Sequence, residues 1–207
     1  MTVNNGMKEH WESIYRKKGL KEVSWYQERP KASWELMEFI GIRKDAAIID
    51  IGGGDSLFVD FLLSEGFSNI TVLDISGEAI SRAKKRLGAK AGTVRWIVSD
   101  IMDFAPTERY DLWHDRAVLH FLSERRKLDR YVKTARQAMN INGKLIVGTF
   151  SESGPERCSG LTVHRYSETG MQAQFKRYFN KIKCVFEDHV TPFKTIQNFI
   201  FCGFQLA

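Results

Sequence analysis

The 207-residue chain has little cysteine: Cys158, Cys184 and Cys202, widely spaced, with no CxxC pair and no Cys/His cluster. Three cysteines cannot all pair, the spacing argues against a zinc site, and the pattern fits a reducing, cytoplasmic setting. Proline is scarce too. Pro30, Pro106, Pro155 and Pro192 each stand where a loop or an element start fits, and no two are adjacent. No apolar run approaches the roughly 20 residues of a membrane span. The opening MTVNNGMKEHWESIY lacks the apolar centre of a signal peptide, so export is not expected. There is no internal repeat, low-complexity tract or interdomain linker.

What is present is ordinary for a soluble globular domain: 43% hydrophobic and 27% charged residues. The length suits one domain with a core of its own, without disulfide or metal staples. The formal net charge of +6 leaves open a nucleic acid, an anionic substrate, or solubility alone.

Along the chain, strand-like and helix-like segments alternate. Short apolar runs at 46–51, 70–73, 94–98, 110–114 and 145–150 read as strands. Helical patterns at 56–65, 77–87 and 123–139 lie between them, the last with Ser123 as its expected cap, and Asn142-Gly143 reads as a turn. This rhythm predicts a parallel sheet covered by helices on both faces. A helix at 167–178 and two aromatic-rich strands at 182–189 and 199–204 follow. The short link between those strands cannot hold a helix, so they should pair antiparallel. Residues 1–41 read as a helical cover, 42–150 as the core, and 151–207 as a polar loop plus the hairpin, all within one domain.

The sharpest local signal is IIDIGGGDS, where a strand ends, glycines turn the chain and a helix begins. Such a loop lets a ligand approach the main chain closely at the carboxyl end of a strand. A phosphate loop fails because no Lys-Ser/Thr follows. A dinucleotide fingerprint fails because Leu57 stands where the third glycine belongs, and Asp50 would repel a pyrophosphate. That carboxylate suits a ligand with a positive end. Asp74, 24 residues after Asp50, closes the second strand at the spacing of an acid that takes a ribose diol. Asp100 closes the third and can accept from an exocyclic amine, with Ile75 and Ile101 as apolar plates for a ring.

These motifs resemble the class I S-adenosylmethionine-dependent methyltransferases, strongly over 46–150 and weakly elsewhere. DIGGGDS resembles the family's glycine loop, and LDIS and SDIMDF its ribose and adenine motifs. The resemblance implies a doubly wound, seven-stranded, mostly parallel α/β sheet with an antiparallel C-terminal hairpin. It implies S-adenosylmethionine as cofactor, with Asp50, Gly52, Gly53 and Gly54 around its methionine part, Asp74 and Ile75 at the ribose, and Asp100 and Ile101 at the adenine. No metal is expected.

In the resembled family the end of the fourth strand faces the transferable methyl. YDLWHDRAVLHFL puts His114, Asp115 and Arg116 there, with His120 one turn on. Asp115 or His120 is the expected base, and Arg116 the anchor for an anionic substrate; His114, inside an apolar pattern, reads as a core histidine. The family's DNA and protein amino-group enzymes often carry [DN]-P-P-[YFW] at this strand end, which is absent here. Trp11, Tyr15, Trp25 and Tyr26 resemble an aromatic lid or pack a helix onto the sheet. Of these, Trp25 and Tyr26, together with Arg165 and Tyr166 from the loop after the fifth strand, are the expected substrate contacts; Arg157 and His164 are further candidates there. Cys158 has no activating partner in sequence. The basic runs at 82–90, 124–130 and 176–183 read as solvated helix faces rather than a nucleic-acid surface. A small-molecule methyl acceptor is the first reading. A protein side chain or RNA as acceptor, and a cofactor-binding protein without turnover, are the alternatives. Oligomeric state is not legible.

Overall fold

In the computed structural model, which describes residues 5–207, seven strands form one sheet. They are β1 (Ile48–Ile51), β2 (Ile70–Asp74), β3 (Val94–Val98), β4 (Tyr110–Arg116), β5 (Met139–Phe150), β8 (Phe179–Val190) and β9 (Ile196–Leu206). A two-residue hairpin, β6 (Arg157–Cys158) and β7 (Leu161–Thr162), sits apart. The order is β3-β2-β1-β4-β5-β9-β8. The first five strands are parallel, and β9 alone runs against its neighbours. This is the doubly wound methyltransferase-type sheet with its antiparallel hairpin. The first four residues of the cover at 1–41 lie outside the described residues.

The strands form where every side chain can be buried. All of β1 and β2 is buried, as parallel strands covered on both faces require. Alternation then sorts the core. Ile48, Leu112 and Ile146 meet α2 (Lys31–Ile40) and α3 (Phe58–Ser64) through Leu36, Met37, Phe58 and Leu62. Ile49, Trp113, Leu145 and Val147 face the other way, toward α5 (Arg125–Ala138) and α6 (Glu168–Phe175) through Tyr131, Val132, Met171 and Phe175. Helix α4 (Gly77–Leu87) packs along β2 and β3, and α1 (Asn5–Lys17) packs on α4. Among the described residues no helix is long and apolar enough to cross a membrane.

Three local expectations need correction. Helix α5 starts at Arg125 behind Glu124, not behind Ser123, and has no side-chain cap. Asn142-Gly143 is not a turn between elements. It lies inside β5, where Asn142 takes φ +62 and the pairing slips between Tyr110 and Leu112, so a bulge absorbs the extra residues. Against the reducing setting that the cysteine pattern fits, Cys184 and Cys202 oppose each other across β8 and β9 and form a disulfide 18 residues apart. Only the hairpin register brings them together; Cys158 stays free and buried.

Gly148 lies where β5 presses against a side chain of β9. It pairs with Phe201, and a Cβ at Gly148 would stand 2.2 Å from that ring, which is itself fully buried. Gly148→Ala is expected to destabilise the fold by about 1–3 kcal/mol, the usual cost of overpacking. Urea unfolding with an unchanged midpoint would contradict this packing.

Candidate functional site

Strand order reverses between β1 and β4, and ligands of doubly wound sheets bind at the carboxyl ends by such a point. The chain's acids gather there. Asp50 and Asp74 are buried, at 3% and 5% exposure. Gly52 turns the chain at φ +67, a conformation that suits glycine. A Cβ on Gly53 would stand 2.3 Å from Asp50 Oδ2, so the loop needs glycine to lie against that carboxylate.

A cleft of about 310 Å³ opens above these ends. Gly52, Asp74, Ile75, Asp100, Ile101, Arg116, Val118, Phe121 and Leu122 line it, with Gly52 and Val118 in direct contact. Trp11, Tyr15 and Trp25 roof it, with Trp11 edge-on to both Trp25 and Phe121. A smaller pocket of about 60 Å³ adjoins it, sharing Tyr15, Trp25, Gly52 and Arg116, and adds Asp50, Gly53 and Tyr26. Gly54 lines neither; its closest approach is to Asp74, whose Oδ2 would be 2.6 Å from a Cβ there.

The roof is fastened down. Glu12 of α1 accepts from Gly77 N at 2.8 Å, Ser76 Oγ at 2.9 Å and Glu78 N at 3.0 Å, at the start of α4. A carboxylate suits a helix N-terminus. Burial works against its charge, but these donors outweigh it and its pKa is lowered. Arg82 of α4 donates to the carbonyls of Tyr15 and Lys18 and pairs with Asp55 at 2.7 Å, while Arg86 pairs with Asp55 and Asp60. The run at 82–90 is therefore not simply a solvated face, since its two arginines are structural.

Residues adjacent in β4 diverge. His114 Nδ1 meets Asp50 Oδ1 at 2.7 Å, and its Nε2 meets Ser33 Oγ at 2.8 Å. Asp115, expected as a base, points to the opposite face, where its oxygens accept from Val118 N, Leu119 N and Tyr131 Oη at 2.8, 3.1 and 2.5 Å. It is fully buried and holds the turn in which Ala117 adopts φ +74; it does not face the cleft. His120 is also misplaced as a base. Its ring packs between Phe121 and Phe150, lines neither pocket, and burial with Arg116 pushes its pKa down to about 3. Arg116 does line both pockets, and Nη1 donates to Trp25 O at 2.9 Å.

The loop after β5 does not supply the expected wall. Arg165 bonds the carbonyls of Glu152 and Gly154 and pairs with Glu156. Tyr166 is buried in the core on the α5–α6 face. Arg157 donates to Gly160 O, and His164 is exposed beside Tyr166. From this segment Cys158 lines the cleft, with its thiol pushed up to about 11 by burial, so it is protonated at neutral pH. The Glu12 latch, Ser33 and Val118 went unread, because no local pattern marks a contact between distant segments.

The fold is doubly wound, and its cleft lies at the carboxyl ends of the strands with Asp74 and Asp100 in its lining. Residues 49–145 match the family model described as a methyltransferase domain. The match covers 97 of the 207 residues, and over that segment the chain is similar to a methyltransferase domain. It is 26% identical over 117 residues to nodulation protein S of Rhizobium tropici, covering 56% of this chain and 48% of that protein. It is 28% identical over 159 residues to EEF1A lysine methyltransferase 2 of Danio rerio, covering 69% and 67%. In structure it resembles 1,6-didemethyltoxoflavin-N1-methyltransferase of Burkholderia thailandensis, solved with 1,6-didemethyltoxoflavin and S-adenosylhomocysteine. The TM-score is 0.73 at 15% identity, over 100% of this chain and 92% of that one. The chain thus spans about half the length of the first of these relatives.

Burial, with the charges of Asp50 and Glu12 nearby, raises the Asp74 pKa from 3.8 to about 7 against the help of the Ser76 amide. Burial likewise raises Asp115 to about 6. A carboxyl with a raised folded pKa stabilises fully below its unfolded pKa and loses that contribution as pH rises through the folded value. These two carboxyls therefore contribute a fall in stability between pH 4 and 7, opposed by His120, whose lowered pKa contributes a rise as the pH climbs toward 6.5. Asp74→Asn should make that fall shallower. Equal slopes for the two proteins in urea unfolding across this range would refute the assignment.

Proposed function

We propose that the protein transfers the methyl group of S-adenosylmethionine to a small-molecule acceptor. The observation that carries this reading is one cleft, lined by Asp74, Asp100, Ile75, Ile101 and Arg116 together with Trp11, Tyr15 and Trp25, at the β1–β4 switch point. The residues present fit the cofactor. Asp74 Oδ1 is held by the Ser76 amide at 2.8 Å, leaving Oδ2 to accept from a ribose diol. Asp100 Oδ1 is held by Met102 N at 2.8 Å, which orients the carboxylate toward an exocyclic amine. Ile75 and Ile101 supply apolar faces for the adenine, and the glycine loop gives backbone access for the methionine part.

When bound, the cofactor supplies a methyl group activated by a sulfonium leaving group. The chain's part is alignment and exclusion of water by Trp11, Tyr15 and Trp25. His114 is committed to Asp50 and Ser33, Asp115 to its turn, and His120 lies behind Phe121. No proton is thus assigned to a protein base, which suits an acceptor that arrives with a lone pair or as an anion. The enclosed roof favours a small molecule over a folded protein, although the Danio rerio relative carries a lysine methyltransferase's name.

Calorimetry tests the cofactor site. Wild type should bind S-adenosylhomocysteine, and Asp74→Ala should weaken it at least about tenfold, the scale of a lost charge-assisted pair. Affinity should rise with pH through about 7, because the ribose hydroxyls need an ionised acceptor. Absence of binding, or an unaffected variant, would remove the reading. Release of S-adenosylhomocysteine with lysate protein but not with a metabolite pool would replace the small molecule by a protein acceptor.

A further inference from the structure

The charges of the cleft are divided. Its acids stand on the β2–β3 side, and Arg116 stands at the end of β4, toward β5, β9 and β8. Arg116 is tied by one nitrogen only. Nη1 donates to Trp25 O at 2.9 Å, while Nε and Nη2 are buried without a hydrogen-bond partner. The guanidinium lies 5.0 Å from the Phe199 ring centroid, a cation–π contact that positions the plane without using its donors. Among the described residues it forms no ion pair. Glu187 on β8 exerts its charge on Arg116, but one oxygen is taken by Gln27 at 2.7 Å and the other, Oε2, is buried unbonded.

Buried donors on a charged group are expensive to leave unused. The Nε and Nη2 pair is the edge that matches a carboxylate with two parallel bonds. We propose that this edge of Arg116 is a carboxylate subsite, so that the methyl acceptor is a small molecule bearing a carboxylate. This rests on the reading of the cleft as a methyltransferase site. A carboxylate has two sources there, the acceptor and the amino-acid end of the cofactor. The surroundings favour the acceptor. Arg116 packs on Phe199 of β9 and acts on Glu187, His189 and His120, beyond β4 from Asp74 and Asp100. Asp50, which shares the smaller pocket with it, also acts on it and makes the cofactor's carboxylate the competing source that the test separates.

The test titrates benzoate and its neutral isostere benzamide into the protein saturated with S-adenosylhomocysteine. Wild type should bind benzoate at least about tenfold more tightly than benzamide. Arg116→Gln should abolish that preference, and Arg116→Lys, which keeps the charge but not the fork, should fall between. Glu187→Gln should tighten benzoate by removing a competing charge, and it keeps the proposal testable if Arg116→Gln fails to fold by circular dichroism. Equal binding of the two probes, or no benzoate binding, overturns the proposal. Loss of S-adenosylhomocysteine affinity in Arg116→Gln, with 5′-methylthioadenosine unaffected, assigns the edge to the cofactor's carboxylate instead and also overturns it. If wild type binds no S-adenosylhomocysteine, the cofactor reading fails separately, and the benzoate preference is still read on the unliganded protein.

Discussion

The buried contact between Asp50 and His114 organises the rest of the site. Asp50 is the next-to-last residue of β1 and His114 sits opposite it on β4, directly in register, at the place where strand order reverses. A carboxylate only 3% exposed needs a close partner, because removing one member of a buried pair costs about 3–5 kcal/mol. His114 supplies it, and Ser33 of α2 completes the ring's second nitrogen. One polar chain therefore joins β1, β4 and α2 through the middle of the molecule. The glycine loop then has to pass beside Asp50 without a side chain. The same residues that bring a ligand close to the backbone are thus required by packing before any ligand arrives.

The period of a strand decides what β4 presents. His114 turns toward α2 and α3, where it stacks at 4.0 Å on Phe58. Trp113 and Asp115 turn toward α5, joined through Tyr131 by bonds of 3.0 and 2.5 Å. Only Arg116, at the strand end, is left to face the cleft. Asp115 serves it indirectly: its carboxylate holds the amides of Val118 and Leu119 and so stabilises the left-handed Ala117, a conformation that costs a non-glycine residue about 1–2 kcal/mol.

This explains which parts of the molecule could be read from the chain. The sheet was legible because burial on both faces leaves continuous apolar runs, and its strands occur within a few residues of where those runs place them. The acids Asp50, Asp74 and Asp100 were legible because each closes such a run, where a strand end must lie. The grouping of Asp115, Arg116 and His120 as one chemical cluster failed because Asp115 and Arg116, adjacent in a strand, point to opposite faces, and His120 lies in the helical turn beyond it. Arg165 and Tyr166 failed differently. Their loop follows β5 as expected, but side chains in a loop follow no period, and these two satisfy their own loop and the core. The disulfide was hidden because it depends on hairpin register, which the separation of Cys184 and Cys202 does not reveal.

The N-terminal cover gains its meaning from its anchors. A freely hinged cover would need few bonds to the body, yet Glu12 caps α4, Arg82 holds the carbonyls of Tyr15 and Lys18, and Arg116 holds that of Trp25. Helix α4 begins three residues after Asp74, so the acid assigned to the ribose and the latch of the roof share one anchor. Lifting Trp11 away from the cleft would expose the donors at the start of α4 that Glu12 now satisfies, and freeing Trp25 would take the one bonded nitrogen from Arg116. Opening thus requires polar groups on both sides of the cleft to find new partners together. That couples the roof to the β2 side of the cleft through α4 and to the β4 side through Arg116.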